Sequence, residues 1–454
     1  MVHSKFKQSA NMNSEDTPNQ MCICCQKLSY GLGHVFNDLC AAMWFSYTLF
    51  YFQVVLKMEA TTAGILLMTG QVVDALATPL AGWLIDCTGR RKIWHFSGSM
   101  AVALGFSLIF SKKFIDVDSD ILMYYMLNIT LFQIGWAIVQ ISHLSLIPEI
   151  SQSHAHSSDL TAIRYTASVC CNMTVYLVTL LILKQNVESQ AVGPADFYKF
   201  KEIALIITFI GIMSCMLFYC GLLGRYGDGY ETLREPEDVN NLNDNNRHFM
   251  KSVVMYTVAL MYMASRLFTI LNLIYIPLYI DERSTTDQTR IDEVRETIAT
   301  VPLVSYIASF LTSILLKYKN GICNDKMIYA IGTTFGLLSS ILIGIGVPTT
   351  SDTELYVIAA LIGISGSSTM VASLCLTANF VKTNGHGGGM IYSLVTFTDK
   401  LISGAVVLLV QNIQCTPRTL CPHFYENVLS YVCGIVSMIG LSSMVTLEVK
   451  TNRH

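Results

Sequence analysis

The sequence predicts an all-α membrane protein of twelve transmembrane helices arranged as two six-helix bundles. Three observations lead there. Of 454 residues, 52% are hydrophobic and only 13% charged, about half the charge density of an average soluble domain. Apolar runs long enough to cross the hydrocarbon, about 20 residues each, recur twelve times, and twelve such helices need about 240 residues. A polar stretch divides the runs six and six. The mean hydropathy of +0.48 argues against disorder, and the formal net charge of -3 gives no reason to expect a nucleic-acid partner.

The elements follow in order along the chain. Residues 1–29 are expected as a cytoplasmic tail: the first 27 residues are polar and lack the apolar segment and cleavage site of a secretory signal. Spans are expected near 30–56, 62–85, 93–111, 121–147, 161–183 and 202–223, forming a bundle over 30–223. The stretch 224–250, with Gly-Asp-Gly, Glu-Pro-Glu and an Asn-rich run, reads as a cytoplasmic linker, because such a composition hydrates readily and buries little. Six further spans are expected near 251–280, 297–316, 327–347, 355–380, 390–412 and 425–447, forming a bundle over 251–447 before a tail at 448–454. Lys and Arg are in excess on the side that carries both termini, most visibly at Arg90, Arg91 and Lys92, which places both termini in the cytoplasm.

Ionisable groups inside spans mark candidate function, since a charge at a helix centre costs about 2.5–3.5 kcal/mol on insertion scales. Asp38, Asp74, Arg266 and Lys400 are such groups and sum to zero, which suggests mutual pairing around a central cavity. His34, Asn37 and Asp38 share one helical face at i, i+3 and i+4. Gln71, Asp74 and Thr78 repeat the pattern in the second span, and Thr396, Lys400 and Ser403 in the eleventh. Two readings stand for the carboxylates: proton coupling, because desolvation raises a carboxylate's proton affinity, or a static ion pair with Arg266 or Lys400. Lys400 reads either as a tethered cation in place of sodium or as a side chain snorkelling to an interface. Arg164, His143, Gln140 and Asn272 form a second tier. His143 has the alternative of simply bonding a backbone carbonyl, and Ser367, Ser368, Thr369 and Thr377 read equally well as polar glue between helices.

The stretch Gly82-Trp-Leu-Ile-Asp86-Cys-Thr-Gly89-Arg90-Arg91-Lys92 resembles the loop between spans 2 and 3 of the major facilitator superfamily, and Gly82, Asp86, Gly89, Arg90 and Arg91 are expected as a cytoplasmic gate. A narrower resemblance, to the glycoside-pentoside-hexuronide cation symporter branch, rests on Tyr30-Gly-Leu-Gly-His-Val-Phe-Asn-Asp38 and Asp74-Ala-Leu-Ala-Thr-Pro79-Leu-Ala-Gly82. It continues in Ser145-Leu-Ile-Pro148-Glu149, Leu160-Thr-Ala-Ile-Arg164, Gly389-Met-Ile-Tyr392 and Phe397-Thr-Asp399-Lys400. In that branch the acidic positions matching Asp38 and Asp74 belong to sugar and cation sites, and Lys400 falls on its basic span-11 position. Thr78 and Asn379 stand where the branch often carries acidic residues. Within the branch, Trp136 to Glu149, Ala299-Thr-Val-Pro302-Leu-Val-Ser-Tyr306 and Tyr262-Met-Ala-Ser-Arg266-Leu look most like its lysosomal and melanosomal cysteine transporters. The resemblance implies a small-molecule substrate, cysteine, carried into the organelle lumen where it influences pigment chemistry, with proton or sodium coupling and no cofactor. A zwitterion needs one partner of each sign, and these charges supply both.

No zinc pattern is found among the 14 Cys, most of which lie in apolar spans and read as small hydrophobes. Cys415 and Cys421 bracket a short loop expected on the non-cytoplasmic side and are predicted to form a disulfide. Cys22, Cys24 and Cys25, beside the first span, read either as palmitoylation sites or as uncapped thiols. Asn128-Ile-Thr and Asn172-Met-Thr fit the glycosylation pattern but fall within spans. No nucleophile, base and orienting group come together in a supporting motif, so no enzyme is expected. Other solutes on the same fold, sugars or lysolipids, and a membrane receptor without transport remain the rival readings.

Overall fold

The computed structural model describes residues 27–88, 90–112, 119–146, 154–185, 192–223, 253–286, 294–317, 324–345, 353–384, 388–415 and 420–451. The N-terminal thiols, the 224–250 linker and Gly89 lie outside the described residues, as do the side chains of Asp86, Asn379 and Thr396. The first six helices are α1 (Val35–Phe50), α2 (Ala60–Thr88), α3 (Arg91–Ile109), α4 (Ser119–Ser145), α5 (His154–Leu183) and α6 (Phe197–Leu223). The second six are α7 (Val253–Thr286), α8 (Val294–Lys317), α9 (Asp325–Gly344), α10 (Thr353–Asn384), α11 (Gly388–Ile413) and α12. The last begins at Phe424–Asn427, passes through a π-helical turn at Val428–Val432 and runs on as Cys433–Thr451. Among the described residues nine helices are long and apolar enough to cross a bilayer. Two of the others fall short for visible reasons: α1 has 16 residues before its π-helical turn at Tyr51–Val55, and α3 opens on Arg91 and Lys92.

Helices of the first half pack on one another, α3 on α4, α2 on α4, and α1 on α5 and α6; in the second half α9 and α8 pack on α10, and α7 and α9 on α12. Among the described residues the halves meet chiefly at α2 with α11, α5 with α8 and α1 with α7. Lipid offers no hydrophobic force between helices, so close backbone approach at small residues takes its place. The α3–α4 contact is built this way. A Cβ on Gly105 would lie 2.7 Å from the Phe132 backbone nitrogen and 2.9 Å from the Asn128 carbonyl. Gly105→Ala is therefore expected to destabilise the protein by about 1–3 kcal/mol, the usual cost of overpacking. Gly193→Ala, with nothing within 4 Å of the added carbon, is expected to be silent. Melting curves of the two variants in detergent check this, and equal melting temperatures would contradict it.

The beginning of α1 explains one histidine. Residues 27–32 are helical, a turn follows at 33–34, and α1 then resumes at Val35. In an apolar interior, carbonyls at such a break require partners. His143 Nε2 lies 2.8 Å from the Tyr30 carbonyl, with its ring stacked on the Tyr30 ring at 4.2 Å. His95 Nε2 lies 2.9 Å from the Gly33 carbonyl, and its Nδ1 meets the Tyr219 hydroxyl at 2.6 Å. His143 thus bonds a backbone carbonyl and helps to seal the break. The two glycosylation-like asparagines lie within α4 and α5 and donate to carbonyls one turn back, Asn128 to Tyr124 and Asn172 to Ser168, each at 2.8 Å.

Candidate functional site

Asp74 is the middle residue of α2, and Lys400 sits at the middle of α11. The α2–α11 packing brings them together across the two halves: Lys400 Nζ lies 2.8 Å from Asp74 Oδ2 and donates to Thr78 Oγ1 at 2.9 Å. Thr78 in turn donates to the Asp74 backbone carbonyl at 2.7 Å, with Asp74 Oδ1 3.3 Å away. Asp74 and Thr78 of the polar face of span 2 thus close around one ammonium group.

Arg266 does not join this pair. Its Nε donates to Asp399 Oδ2 at 3.3 Å, a contact between α7 and α11 within the second half. Asp399 Oδ1 accepts from Ser403 at 3.3 Å, so Ser403 serves Asp399 and not Lys400, with which it was grouped on spacing. The Arg266 side chain keeps 34% of its surface exposed against 2% for Asp399, whereas Lys400 and Asp74 keep 12% and 6%.

The third group lies in the first half. His34 Nδ1 is 3.0 Å from Asp38 Oδ2, one turn along α1. Arg164 of α5 reaches His34 Nε2 at 2.9 Å, and Asn37 Nδ2 approaches the same nitrogen at 3.4 Å. A cation donating to Nε2 leaves the imidazole proton on Nδ1, facing Asp38. The four charges expected to pair mutually are thus distributed over three groups, completed by Arg164 and Asp399. Gln140 is half-buried on α4. Asn272 turns away from all three, donating to the Phe268 carbonyl at 2.8 Å with the Cys433 sulfur 3.7 Å away. His34, His95 and His143 lie close, with the His143 ring centroid 5.3 Å from that of His34 and 6.0 Å from that of His95, and His143 Nε2 and both His95 nitrogens serve the contacts above. No metal-binding group of three His, Cys, Asp or Glu is found among the described residues.

Polar contacts between the halves gather at one end of the molecule, where α1 and α11 finish and α8 and α12 start. Gln53 donates to Gln411, and the Tyr425 hydroxyl donates to Gln53 Oε1 at 2.6 Å, with Gln414 Oε1 3.0 Å away. Arg295 grips Asp196 with two nitrogens, at 2.7 Å and 2.9 Å, and Lys184 meets Glu296 at 2.6 Å. Cys415 and Cys421 form a disulfide with Cα atoms 6.0 Å apart in the same region. The expected gate motif is at the other end of α2. There Gly82 is half-buried, Arg90 exposed and Arg91 half-buried.

Reading by residue type overlooked Asp399, Asp196–Arg295 and the Gln53–Gln411–Tyr425 network. A charge count over the spans held the signal for Asp399: with Arg164 counted, Arg164, Arg266 and Lys400 require a third acid beside Asp38 and Asp74. The amide network carried none, because Gln and Tyr near a span end are ordinary interfacial residues.

Comparison with known proteins agrees with this architecture. The family described as MFS/sugar transport protein matches residues 29–445. The chain is similar to major facilitator superfamily domain-containing protein 12 of Mus musculus, 31% identical over 456 residues, covering 93% of this chain and 92% of the relative. The Homo sapiens protein of that name is 33% identical over 459 residues, with 93% and 92% covered. Among solved structures, the nucleoside transporter NupG superposes with a TM-score of 0.70 at 12% identity, covering 93% of this chain and 99% of that one, which shows a shared fold. Twelve helices in two packed halves, charges at mid-height and a family match over nearly the whole length lead to one conclusion: the chain belongs to the MFS/sugar transport protein family, a multi-pass membrane transporter of the major facilitator superfamily.

Proposed function

We propose that the chain moves cysteine from the cytosol into the lumen of lysosomes or melanosomes by alternating access. The observation that carries this reading is the set of opposite charges at mid-height where the halves meet: Asp74 and Lys400 2.8 Å apart across the interface, with Arg266 partly exposed beside them. Substrate sites in such folds lie near the bilayer midplane between the two repeats. A zwitterion of cysteine's size takes a carboxylate for its ammonium group, Asp38 or Asp74, and a cation for its own carboxylate. The choice of cysteine rests on the resemblance to the lysosomal and melanosomal branch. Both termini, residues 1–29 and 448–454, and the 224–250 linker lie in the cytoplasm in this reading, and the end joined by Gln53, Gln411 and Tyr425 faces the lumen. Gly82, Asp86, Gly89, Arg90 and Arg91 then form the cytoplasmic gate. Lys400 occupies the charge beside Asp74 that a bound sodium ion would otherwise supply, and the His34–Asp38 pair is the proton acceptor if a proton drives transport.

Labelled cysteine uptake into vesicles holding the purified protein tests the reading. Saturable uptake competed by unlabelled cysteine is expected, and a response to an imposed pH gradient would identify proton coupling. Saturable flux of a sugar or lysolipid without cysteine flux would reassign the cargo. Binding without flux would make the protein a receptor.

A further inference from the structure

We propose that Asp399 is a positioning residue that turns Arg266 so that its terminal Nη groups form the subsite for the substrate's carboxylate, making the pair a determinant of selectivity for amino acids over the corresponding amines. The inference rests on the cysteine reading above and deepens it by assigning the carboxylate to one cation and giving that cation a holder.

Successive residues on a helix point about 100° apart, and Asp399 and Lys400 meet different partners. Lys400 reaches α2 of the other half and is held there by Asp74 and Thr78. Its ammonium is thus engaged from two directions. Arg266 is held through Nε, which meets Asp399 Oδ2 at 3.3 Å, with Tyr262 and Tyr306 as its other neighbours among the described residues. A guanidinium carries five N–H groups in a planar fork, and a contact through Nε leaves the Nη edge for a second, bidentate carboxylate. Arg266 is also the most exposed member of these two pairs, at 34%.

The holder is itself fixed. Asp399 is buried, and Ser403 donates to its second oxygen at 3.3 Å, which sets the carboxylate plane against α11. A site built this way, with a rigid support behind the contacting group, keeps the geometry that selectivity requires. Without Asp399 the guanidinium loses its orienting contact, and its charge is left to find another partner. Asp399 does not touch the substrate.

The experiment compares cysteine with cysteamine, the same molecule without the carboxylate, in vesicles holding wild type, Asp399→Asn, Asp399→Ala and Ser403→Ala. Competition against labelled cysteine gives the KM for cysteine and the inhibition constant for cysteamine. Asp399→Ala is expected to raise the KM for cysteine at least tenfold, with the maximal rate per folded protein and the cysteamine constant changing less than twofold. Asp399→Asn keeps an acceptor for Nε and is expected to shift KM less than Asp399→Ala, and Ser403→Ala less again, in the same pattern. Should Asp399→Ala fail to fold, the other two variants carry the test. Equal shifts for cysteine and cysteamine, or a fall in maximal rate alone, would mean that Asp399 only stabilises the helix pair and would overturn the assignment. Wild type that transports no cysteine would fail the underlying reading and this assignment together, whereas wild-type transport with equal shifts fails this assignment alone.

Discussion

Lys400→Ala is expected to abolish uptake and to destabilise the protein by about 3–5 kcal/mol, the range for removing one partner of a buried ion pair. The cost comes from what is left behind. Asp74 is at the centre of α2 with 6% of its side chain exposed, and Lys400 Nζ at 2.8 Å is its counter-charge. Thr78 keeps Oγ1 turned towards the Asp74 backbone and cannot replace a cation. The double variant Asp74→Leu, Lys400→Met removes both charges at similar volume and is expected to recover most of the stability, since well-packed apolar replacements of buried pairs are often neutral. It is not expected to recover transport, because the charge chemistry at the interface is gone. Melting temperature and uptake, measured together on the three proteins, separate these effects. A single variant as stable as the double would show that Asp74 finds another partner and that the pair is not a closed unit.

Arg295→Ala is expected to loosen the end of the molecule joined by Gln53 and Gln411 while leaving the other end intact. Arg295 and Asp196 keep 5% and 4% of their side chains exposed, and their two parallel bonds of 2.7 Å and 2.9 Å tie the turn before α6 to the start of α8. Asp196 retains the Gly193 N–H at 3.0 Å and Lys199 at 3.5 Å after the substitution, so the first half keeps its local structure. What is lost is the tie between halves. A loss of about 3 kcal/mol from the closed arrangement shifts a two-state population by more than a hundredfold, enough to turn a 99:1 preference into a minority. Hydrogen exchange reads this directly: faster exchange is expected in segments 194–200 and 294–300, with the region around Lys326 and Glu448, joined at 2.6 Å, unchanged. Uniformly faster exchange would mean general destabilisation, and unchanged exchange would mean that the neutral network at Gln53, Gln411 and Tyr425 suffices for closure.

Much of the fold was legible because the bilayer permits few solutions: long apolar runs must be helices, and each of the twelve expected runs coincides with one. Helix partners were less legible. Nothing in the composition of α2 says that it packs on α11, yet that contact makes Asp74 and Lys400 a pair. Charges inside spans were visible for the same reason that spans were, since they are expensive there. Their grouping was not, because helical spacing orders residues along one helix and is silent about which neighbour faces them. Asp399 illustrates this. It stood in plain sight beside Lys400, and only the α7–α11 contact reveals that it belongs to Arg266. His143 illustrates the converse: spacing left it between site residue and support, and at the turn before α1 it meets the Tyr30 backbone carbonyl.

The central ion pair also has a mechanical meaning. Two bodies that rock against each other move least at their fulcrum and most at the ends of the lever arms. Lys400 and Asp74 sit at the middle of their helices, whereas Gln411 lies three turns further along α11, about 16 Å away by the α-helical rise. A tilt of about 15° about the pair, of the size known for rigid-body rotations in other proteins, separates Gln411 from Gln53 by about 4 Å, beyond hydrogen-bond reach. The ion pair itself, on the pivot, moves least. The ion pair at mid-height is then a bearing, and the contacts at the rim, the Gln53–Gln411–Tyr425 network together with Arg295–Asp196, are the parts that open and shut.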